Sequence, residues 1–157
     1  MSSTVATATQ TTISYNSHAS SQNRSSLHLA SGGNMMLLTD PKGRQTGYDI
    51  TTGKVLQQIP NSNFSSEATT NIEDTKYPAP VDYFIDIHNP LDGIYELTLI
   101  RGENSNYYDL TMVTFTEYGD RESTDEIKGS MISGSDRVFQ IDFTSASNVS
   151  STVSLIK

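Results

Sequence analysis

Apolar and polar residues alternate most regularly in residues 81–88, 94–100 and 137–143. Side chains at every second position of an extended strand point to the same face of a sheet. Alternation of this kind is typical of strands that bury one face and expose the other. The predicted inward-facing residues are Tyr83, Ile85, Ile87, Tyr95, Leu97, Leu99, Phe139, Ile141 and Phe143.

Shorter strand signals cover much of the remaining chain. Leu27 and Leu29 alternate with polar neighbours, residues 35–38 form an apolar run, and residues 107–116 and 127–132 follow the same pattern. Further strands are expected at residues 55–59 and around Val153 and Leu155. No window has helical spacing. Eight to ten short strands separated by turns predict an all-β fold, an antiparallel β-sandwich of immunoglobulin-like or jelly-roll-like type.

Turn residues punctuate these strands. Asp40-Pro41-Lys42-Gly43 predicts a type I turn, because Asp, Pro and Gly occupy its first, second and fourth positions. Residues 60–80 are rich in Ser, Thr, Asn and Pro and predict a long surface loop. An acidic loop is expected after Tyr118-Gly119-Asp120.

Residues 1–25 differ in composition from residues 26–157, which we take as the sandwich domain. A stretch dominated by Ser, Thr, Ala and Asn is typical of a linker or tail. Residues 4–15, however, contain no Gly, Pro or charged residue and are rich in β-branched residues, which favours an extended strand that pairs elsewhere. Both interpretations stay open. In a donated strand, the residues on one face would be Val5, Thr7, Thr9, Thr11, Ile13 and Tyr15.

Charge excludes some classes of partner. The net charge is −8, and the ten basic residues are scattered singly. Binding of nucleic acid requires clustered Lys and Arg to neutralise phosphates, so no nucleic-acid partner is expected. Acidity also opposes binding to anionic lipid surfaces. No apolar run approaches the roughly 18 residues of a membrane span.

The absence of cysteine removes disulfides, thiolate metal sites and cysteine nucleophiles together. The numbered chain starts Met1-Ser2-Ser3-Thr4 and shows no basic region followed by an apolar run, so it carries no recognisable signal peptide. Two settings agree with this start, a cytosolic protein or a mature extracellular region.

No catalytic constellation stands out. The chain has no Gly-x-Ser-x-Gly motif and no phosphate-binding glycine loop. Of the histidines His18, His28 and His88, only His88 has acids nearby in sequence, with Asp86 on the same strand face and Asp92 in the following turn. A metal or acid–base site there competes with an exposed polar strand face, and the expectation is a protein that is not an enzyme.

Calcium is the most plausible ion, because Ca²⁺ takes oxygen ligands from acidic loops. The first candidates are the acids of the turn that follows Tyr118, and Glu73 and Asp74 of the long loop offer a second pair. The turn contributes Asp120, Glu122, Asp125 and Glu126. No EF-hand spacing is present, and a solvated acidic loop is the alternative, so no cofactor is required.

Tyrosines provide a candidate carbohydrate-binding surface. Tyr107 and Tyr108 are adjacent in a predicted strand and must point to opposite faces, so one of them is expected to be exposed. The lack of tryptophan weakens this hypothesis. The residues proposed to stack on a sugar are Tyr48, Tyr77, Tyr107 and Tyr118.

The segment Leu37-Leu38-Thr39-Asp40-Pro41-Lys42-Gly43-Arg44-Gln45-Thr46-Gly47 resembles a β-sandwich segment that recurs in secreted and surface-associated bacterial proteins, where the pattern reads approximately LLxTDPxGRxTG. Asn89-Pro90-Leu91-Asp92-Gly93-Ile94-Tyr95-Glu96-Leu97 fits the NPLDGxYxL part of the same layout. The last part of the chain is more weakly similar to bacterial pre-peptidase C-terminal domains. The resemblance covers roughly residues 34–143. It implies an extracellular or cell-surface, non-catalytic setting.

These observations favour a structural module that acts by protein–protein contact with surface proteins or with other copies of itself. A strand donated by residues 4–15 to the edge of a neighbouring copy would build a filament if repeated head to tail. The alternative is a carbohydrate-binding module of a secreted protein, and an enzyme comes third.

Overall fold

The computed structural model describes residues 22–68, 81–102, 105–131 and 135–157. These residues form eleven strands and no helix. The strands are β1 Ser26–Gly32, β2 Met35–Thr39, β3 Gln45–Asp49, β4 Lys54–Gln57, β5 Ser62–Ala68, β6 Val81–His88, β7 Gly93–Ile100, β8 Tyr107–Phe115, β9 Arg121–Ser130, β10 Arg137–Phe143 and β11 Thr152–Leu155. The prediction of an all-β protein is confirmed.

The strands form two antiparallel sheets that pack face to face. Sheet A has the order β5-β6-β1-β8-β9, and sheet B has the order β11-β10-β7-β2-β3-β4. The predicted β-sandwich is therefore confirmed. The N-terminal extension lies outside the described residues except for its last four, Gln22 to Ser25, which lead directly into the central strand of sheet A.

The core lies between the sheets and comes from alternate positions of both. Because Leu29 and Ile85 are directly opposite each other in the β1–β6 register, they bury side by side. The predicted inward-facing residues are all in this core except Tyr83, which is partly buried and packs against it. The buried members are Leu27, Leu29, Met36, Leu38, Ile59, Ile85, Ile87, Tyr95, Leu97, Leu99, Tyr108, Leu110, Met112, Met131, Phe139, Ile141 and Phe143.

The two lateral edges of the sandwich, where the outermost strands of the sheets lie, differ. At one lateral edge β4 and β5 close the gap between the sheets, and the Thr46 and Ser62 hydroxyls share a hydrogen bond of 2.7 Å there. At the other lateral edge, β9 and β11 are the outermost strands of their sheets. Glu122 of β9 lies near the backbone N–H of Ser151, the residue before β11. The gap between the sheets is therefore less closed at the β9–β11 edge than at the β4–β5 edge.

Two loop predictions were wrong. Residues 62–68 of the expected long loop form strand β5, and the expected acidic loop after Asp120 forms most of strand β9. Both are edge strands of sheet A, which gain backbone hydrogen bonds from one neighbouring strand among the described residues. Such strands need few apolar residues, so their polar sequences hide the strand signal.

Candidate functional site

A hydrogen-bonded chain of three side chains lies on the outer face of sheet A. Ser26 and His28 are two residues apart on β1, so both point outward, and Asp86 on β6 is directly opposite His28 in the register. The Ser26 Oγ is 2.9 Å from the His28 Nε2, and the His28 Nδ1 is 2.6 Å from the Asp86 Oδ1. The order of groups is therefore hydroxyl, imidazole, carboxylate.

The carboxylate fixes which imidazole nitrogen carries the hydrogen. An ionised Asp86 only accepts hydrogen bonds, so the His28 Nδ1 must be the donor. In the neutral ring Nε2 is then an acceptor, and the Ser26 hydroxyl donates to it. This is the tautomer that a base needs in order to take a proton from a hydroxyl.

Ring-bearing residues flank Ser26 on both neighbouring strands. His88 and Phe115 are both opposite Ser26 in the registers of β6 and β8. The His28 ring meets each of them edge to face, with centroid distances of 6.2 Å to His88 and 5.6 Å to Phe115. Ser26 is consequently only 6% exposed, whereas the His28 and Asp86 side chains are about one-third exposed.

Further along the same face, small residues of β1 open a shallow trough. Ala30 and Gly32 lie between the larger side chains of β6 and β8, and the trough has a volume of about 230 Å³. Its lining includes Asp82 and Phe84 on one side and Asp109 on the other.

The trough continues into a depression of about 640 Å³ beside Tyr107, which is 73% exposed. Lys128 lines both hollows and forms an ion pair of 3.1 Å with Asp109. The hydrogen bond to this carboxylate and the attraction between the charges raise the pKa of Lys128. A mixed polar surface with one exposed ring is thus present at this end of sheet A.

The outer edge of β11, which pairs with β10 alone among the described residues, is a second candidate surface. In the register with β10, Leu155 is opposite the fully buried Phe139, which places Leu155 on the inner face. It is nevertheless 47% exposed, and the adjacent Ile156 is 54% exposed. The edge strand carries no charge or proline, which are common protections against pairing with another chain.

The β9 edge is protected. A β-bulge lies at Glu122, because Thr114 is opposite Ser123 while Phe115 is opposite Arg121. Asp125 is opposite the buried Met112 and so puts a charge on the inner face. Burial raises the pKa of Glu122, and the backbone bond from Ser151 offsets part of that rise. Bulges and inward charges both discourage strand addition.

The tyrosines proposed to stack on a sugar do not form one surface. Tyr107 begins β8 and is exposed, while Tyr108 is buried, as the strand pattern predicted. Tyr118 is exposed in the turn beyond the other end of β8, and Tyr48 lies in β3 of sheet B rather than in a turn. Tyr77 is outside the described residues. Tyr107 lines the larger hollow, together with the buried Tyr108.

The candidate calcium ligands are also spread out. Asp120 lies in a turn, whereas Glu122, Asp125 and Glu126 belong to β9, where the last two point to opposite faces. Across residues 22–68, 81–102, 105–131 and 135–157, no group of three or more His, Cys, Asp or Glu is placed to hold a metal ion. Glu73 and Asp74 are outside those ranges.

The acids near His88 have other partners. Asp86 bonds His28, and Asp92 accepts a hydrogen bond of 2.8 Å from the Ser145 backbone N–H. Sequence analysis missed the Ser26–His28–Asp86 chain. The local signal was a serine two residues before a histidine on a predicted strand, but the acid is 58 residues further along.

The N-terminal residues proposed to form a donated strand lie outside the described part of the chain. They are Val5, Thr7, Thr9, Thr11, Ile13 and Tyr15. The described residues begin beside the β8–β9 turn, where the Arg24 backbone N–H bonds the Glu117 carbonyl at 2.9 Å. Glu117 in turn bonds Ser145, in the loop that leads to β11. The described part of the chain therefore starts at the end of the sandwich from which β11 starts.

Comparisons with protein-family models, curated proteins and solved structures find no match for this chain. The resemblance to secreted bacterial sandwich proteins thus stays a prediction. In the described residues, no helix is long and apolar enough to cross a membrane.

Proposed function

We propose that this protein is a non-catalytic structural module that assembles with copies of itself by strand donation. In this proposal residues 4–15 of one copy pair with the outer edge of β11 in the next. The observation that carries it is the inner-face Leu155, left 47% exposed on an uncharged edge strand. An added strand would cover this side chain and satisfy the free backbone groups of the edge.

The proposed donor strand (residues 4–15) and the acceptor strand β11 are compatible in charge and in the position of their apolar residues. Residues 4–15 carry no charge, and β11 from Thr152 to Leu155 carries none either. The apolar donor residues Val5 and Ile13 are an even number of positions apart, so they would lie on the same face of an extended strand. Both would then point inward together with Leu155. The protected β9 edge explains why β11 is the acceptor. A repeated heterologous contact of this kind does not close and gives filaments.

The first experiment compares particle size for the full chain and for a version lacking residues 1–21, by light scattering and negative-stain electron microscopy. We expect filaments or large oligomers from the full chain and monomers from the truncated chain. Monomers from both, or oligomers that survive truncation, would refute strand donation.

Edge variants locate the acceptor. Leu155→Lys places a charge on the β11 edge and is expected to abolish assembly. Val55→Lys is the matched control, because Val55 is 57% exposed on the β4 edge of the same sheet. Mixing the truncated chain with the Leu155→Lys chain should give only dimers, since one supplies the acceptor and the other the donor. An N-terminal segment that pairs within its own chain would give no dimers.

The setting of the proposal is extracellular or on a bacterial cell surface, where the partners are other copies or surface proteins. The implied family resemblance supports this setting. Neither calcium nor another cofactor is needed for strand addition, because backbone hydrogen bonds and apolar contact supply the affinity.

A second candidate function is carbohydrate binding, favoured by the exposed Tyr107 ring beside the hollow that Asp109 and Lys128 line. Rings bind the apolar faces of sugars, and nearby polar groups bind their hydroxyls. If this hollow binds a glycan, Tyr107→Ala should weaken binding about tenfold or more on a glycan array or by calorimetry. Tyr118→Ala is the control, because Tyr118 is 57% exposed but lies in the turn beyond the opposite end of β8. Equal losses of glycan affinity in Tyr107→Ala and Tyr118→Ala would argue against glycan binding in this hollow.

A further inference from the structure

The Ser26–His28–Asp86 chain has the connectivity of an activated nucleophile. A hydroxyl becomes nucleophilic when a base within about 2.6–3.2 Å accepts its proton and a third group orients that base. Both distances, 2.9 Å and 2.6 Å, meet this requirement. The carboxylate also imposes the tautomer that leaves the His28 Nε2 free to act as the base.

We propose that Ser26 is a nucleophilic serine that accepts the acyl group of small activated esters, with His28 as its base and Asp86 as the residue that positions the base. The inference goes beyond self-assembly and rests on different residues. The proposed reaction transfers one acyl group to each protein molecule.

In the transfer, the Ser26 Oγ attacks the ester carbonyl carbon and its proton passes to the His28 Nε2. A new Oγ–carbon bond forms, and the carbon–oxygen bond to the leaving group breaks. A phenolate leaving group departs with the electron pair of that bond. The imidazolium, stabilised by Asp86 while it is charged, then releases its proton to water.

Access to the hydroxyl selects the size of the acyl group. Ser26 is 6% exposed because His88 and Phe115 lie on either side of it. An acetyl group is small enough for such a narrow opening, whereas a long or branched acyl chain would collide with the rings. The substrate class is therefore short-chain activated esters.

The test exposes the full chain to p-nitrophenyl acetate and locates the acetyl group by intact mass and peptide mapping. We expect one acetyl group on Ser26 in the unmodified protein and none there in Ser26→Ala. His28→Gln should slow acetylation by about a hundredfold, the usual contribution of a positioned base. Gln140→Ala is the control and should retain acetylation, because Gln140 is exposed on β10 of the other sheet, away from Ser26.

The role of Asp86 is tested with one variant that removes its carboxylate and one that restores a carboxylate at the same position. Asp86→Ala is expected to slow acetylation of Ser26, and Asp86→Glu to restore part of the rate, because a carboxylate can again hold the imidazole. A purely structural role for Asp86 would change the thermal transition without this recovery of rate. Acetylation at other residues, or equal rates in the unmodified protein and His28→Gln, would overturn the proposal.

A thiol probe tests the same base independently of esters. The chain has no cysteine, so Ser26→Cys introduces its only thiol. Its alkylation by iodoacetamide at neutral pH should fall about tenfold when His28→Gln is added, because a neighbouring histidine favours the thiolate. Ser130→Cys, at an exposed position of β9, should be unaffected by His28→Gln. An unchanged rate at Ser26→Cys would refute a base role for His28.

Discussion

Replacing Gly47 with alanine is expected to destabilise the folded protein by about 4 kcal/mol or more, the range of severe backbone conflicts. Gly47 lies in β3 with φ of 124°, which residues with side chains rarely adopt. A β-carbon built there would collide with the Met36 carbonyl oxygen and lie 3.0 Å from the Leu37 α-carbon. These are backbone atoms of the neighbouring strand, so β2 and β3 would have to separate.

Gly43→Ala is the matched control for this prediction. Gly43 has φ of 77° in the turn before β3, but a β-carbon there meets no atom within 4 Å. It should lose only about 1–2 kcal/mol, the cost of the left-handed conformation itself. Urea unfolding of the three proteins measures both effects. Equal losses for Gly43→Ala and Gly47→Ala would show that β2 and β3 move apart without significant cost.

Local patterns predicted much of this fold. The Asp40–Gly43 turn forms as expected, with the Gly43 backbone N–H bonded to the Asp40 carbonyl at 2.9 Å. Alternation in residues 81–88 placed Ile85 and Ile87 in the core, where both are fully buried. Such features depend on neighbours within a few residues, so one sequence contains the information needed to predict them.

Polar edge strands escaped prediction for a physical reason. The β5 sequence has Phe64 and Ala68 as its only apolar residues, and the first half of β9 has none. These segments are strands because β6 and β8 offer backbone hydrogen bonds along one side. Pairing with another strand decides their structure, and no local pattern of apolar residues records it.

The Ser26–His28–Asp86 chain shows the same limit at a site. Proximity of Ser26 to His28 follows from strand periodicity, but contact with Asp86 requires the pairing of β1 and β6 in one specific register. A shift of one residue would turn the carboxylate to the other face. Sequence therefore provided the residue types, and the sheet topology brought them together.

The proposed assembly edge and the serine site are physically separate, which allows independent tests. Ser26 and His28 lie on the central strand of sheet A, whereas Leu155 lies on an edge strand of sheet B. Substitutions more than about 7–10 Å apart without shared partners usually have additive effects. Leu155→Lys should therefore abolish assembly without slowing acetylation, and Ser26→Ala should do the reverse.

Removing the Asp40 carboxylate is expected to cost about 3 kcal/mol of folding stability, because charged hydrogen bonds are lost from a buried site. The Asp40 side chain is fully buried. Its Oδ1 accepts bonds of 2.9 Å from the backbone N–H groups of Lys42 and Arg44, and its Oδ2 accepts one of 2.7 Å from the Arg44 Nε. Asp40→Ala removes all three bonds and should lower the midpoint of urea unfolding.

Asp40→Asn removes the negative charge of this side chain but keeps an oxygen that can accept the backbone hydrogen bonds, so it distinguishes the two contributions. The amide oxygen can still accept from Lys42 and Arg44, but the amide N–H₂ would face the Arg44 donor, so we expect an intermediate loss. Asp49→Asn is the control: Asp49 makes comparable bonds to Thr51 and Thr52 in a solvent-exposed turn, where the loss should be much smaller.

The pH dependence of Asp40→Asn tests whether the carboxylate acts in its charged form. Burial works to raise the pKa of Asp40, but its bonds to Arg44 and to the Lys42 backbone outweigh burial and lower the pKa from its ordinary value of 3.8. A carboxylate whose pKa falls on folding stabilises the protein above its unfolded pKa, and this contribution is lost as the pH falls through the folded pKa. The difference in unfolding free energy between the unmodified protein and Asp40→Asn should therefore be constant near neutral pH and shrink below pH 3.8. A difference that stays constant through that acid range would mean that Asp40 stabilises the turn equally well when protonated, and that Arg44 contributes nothing through its charge.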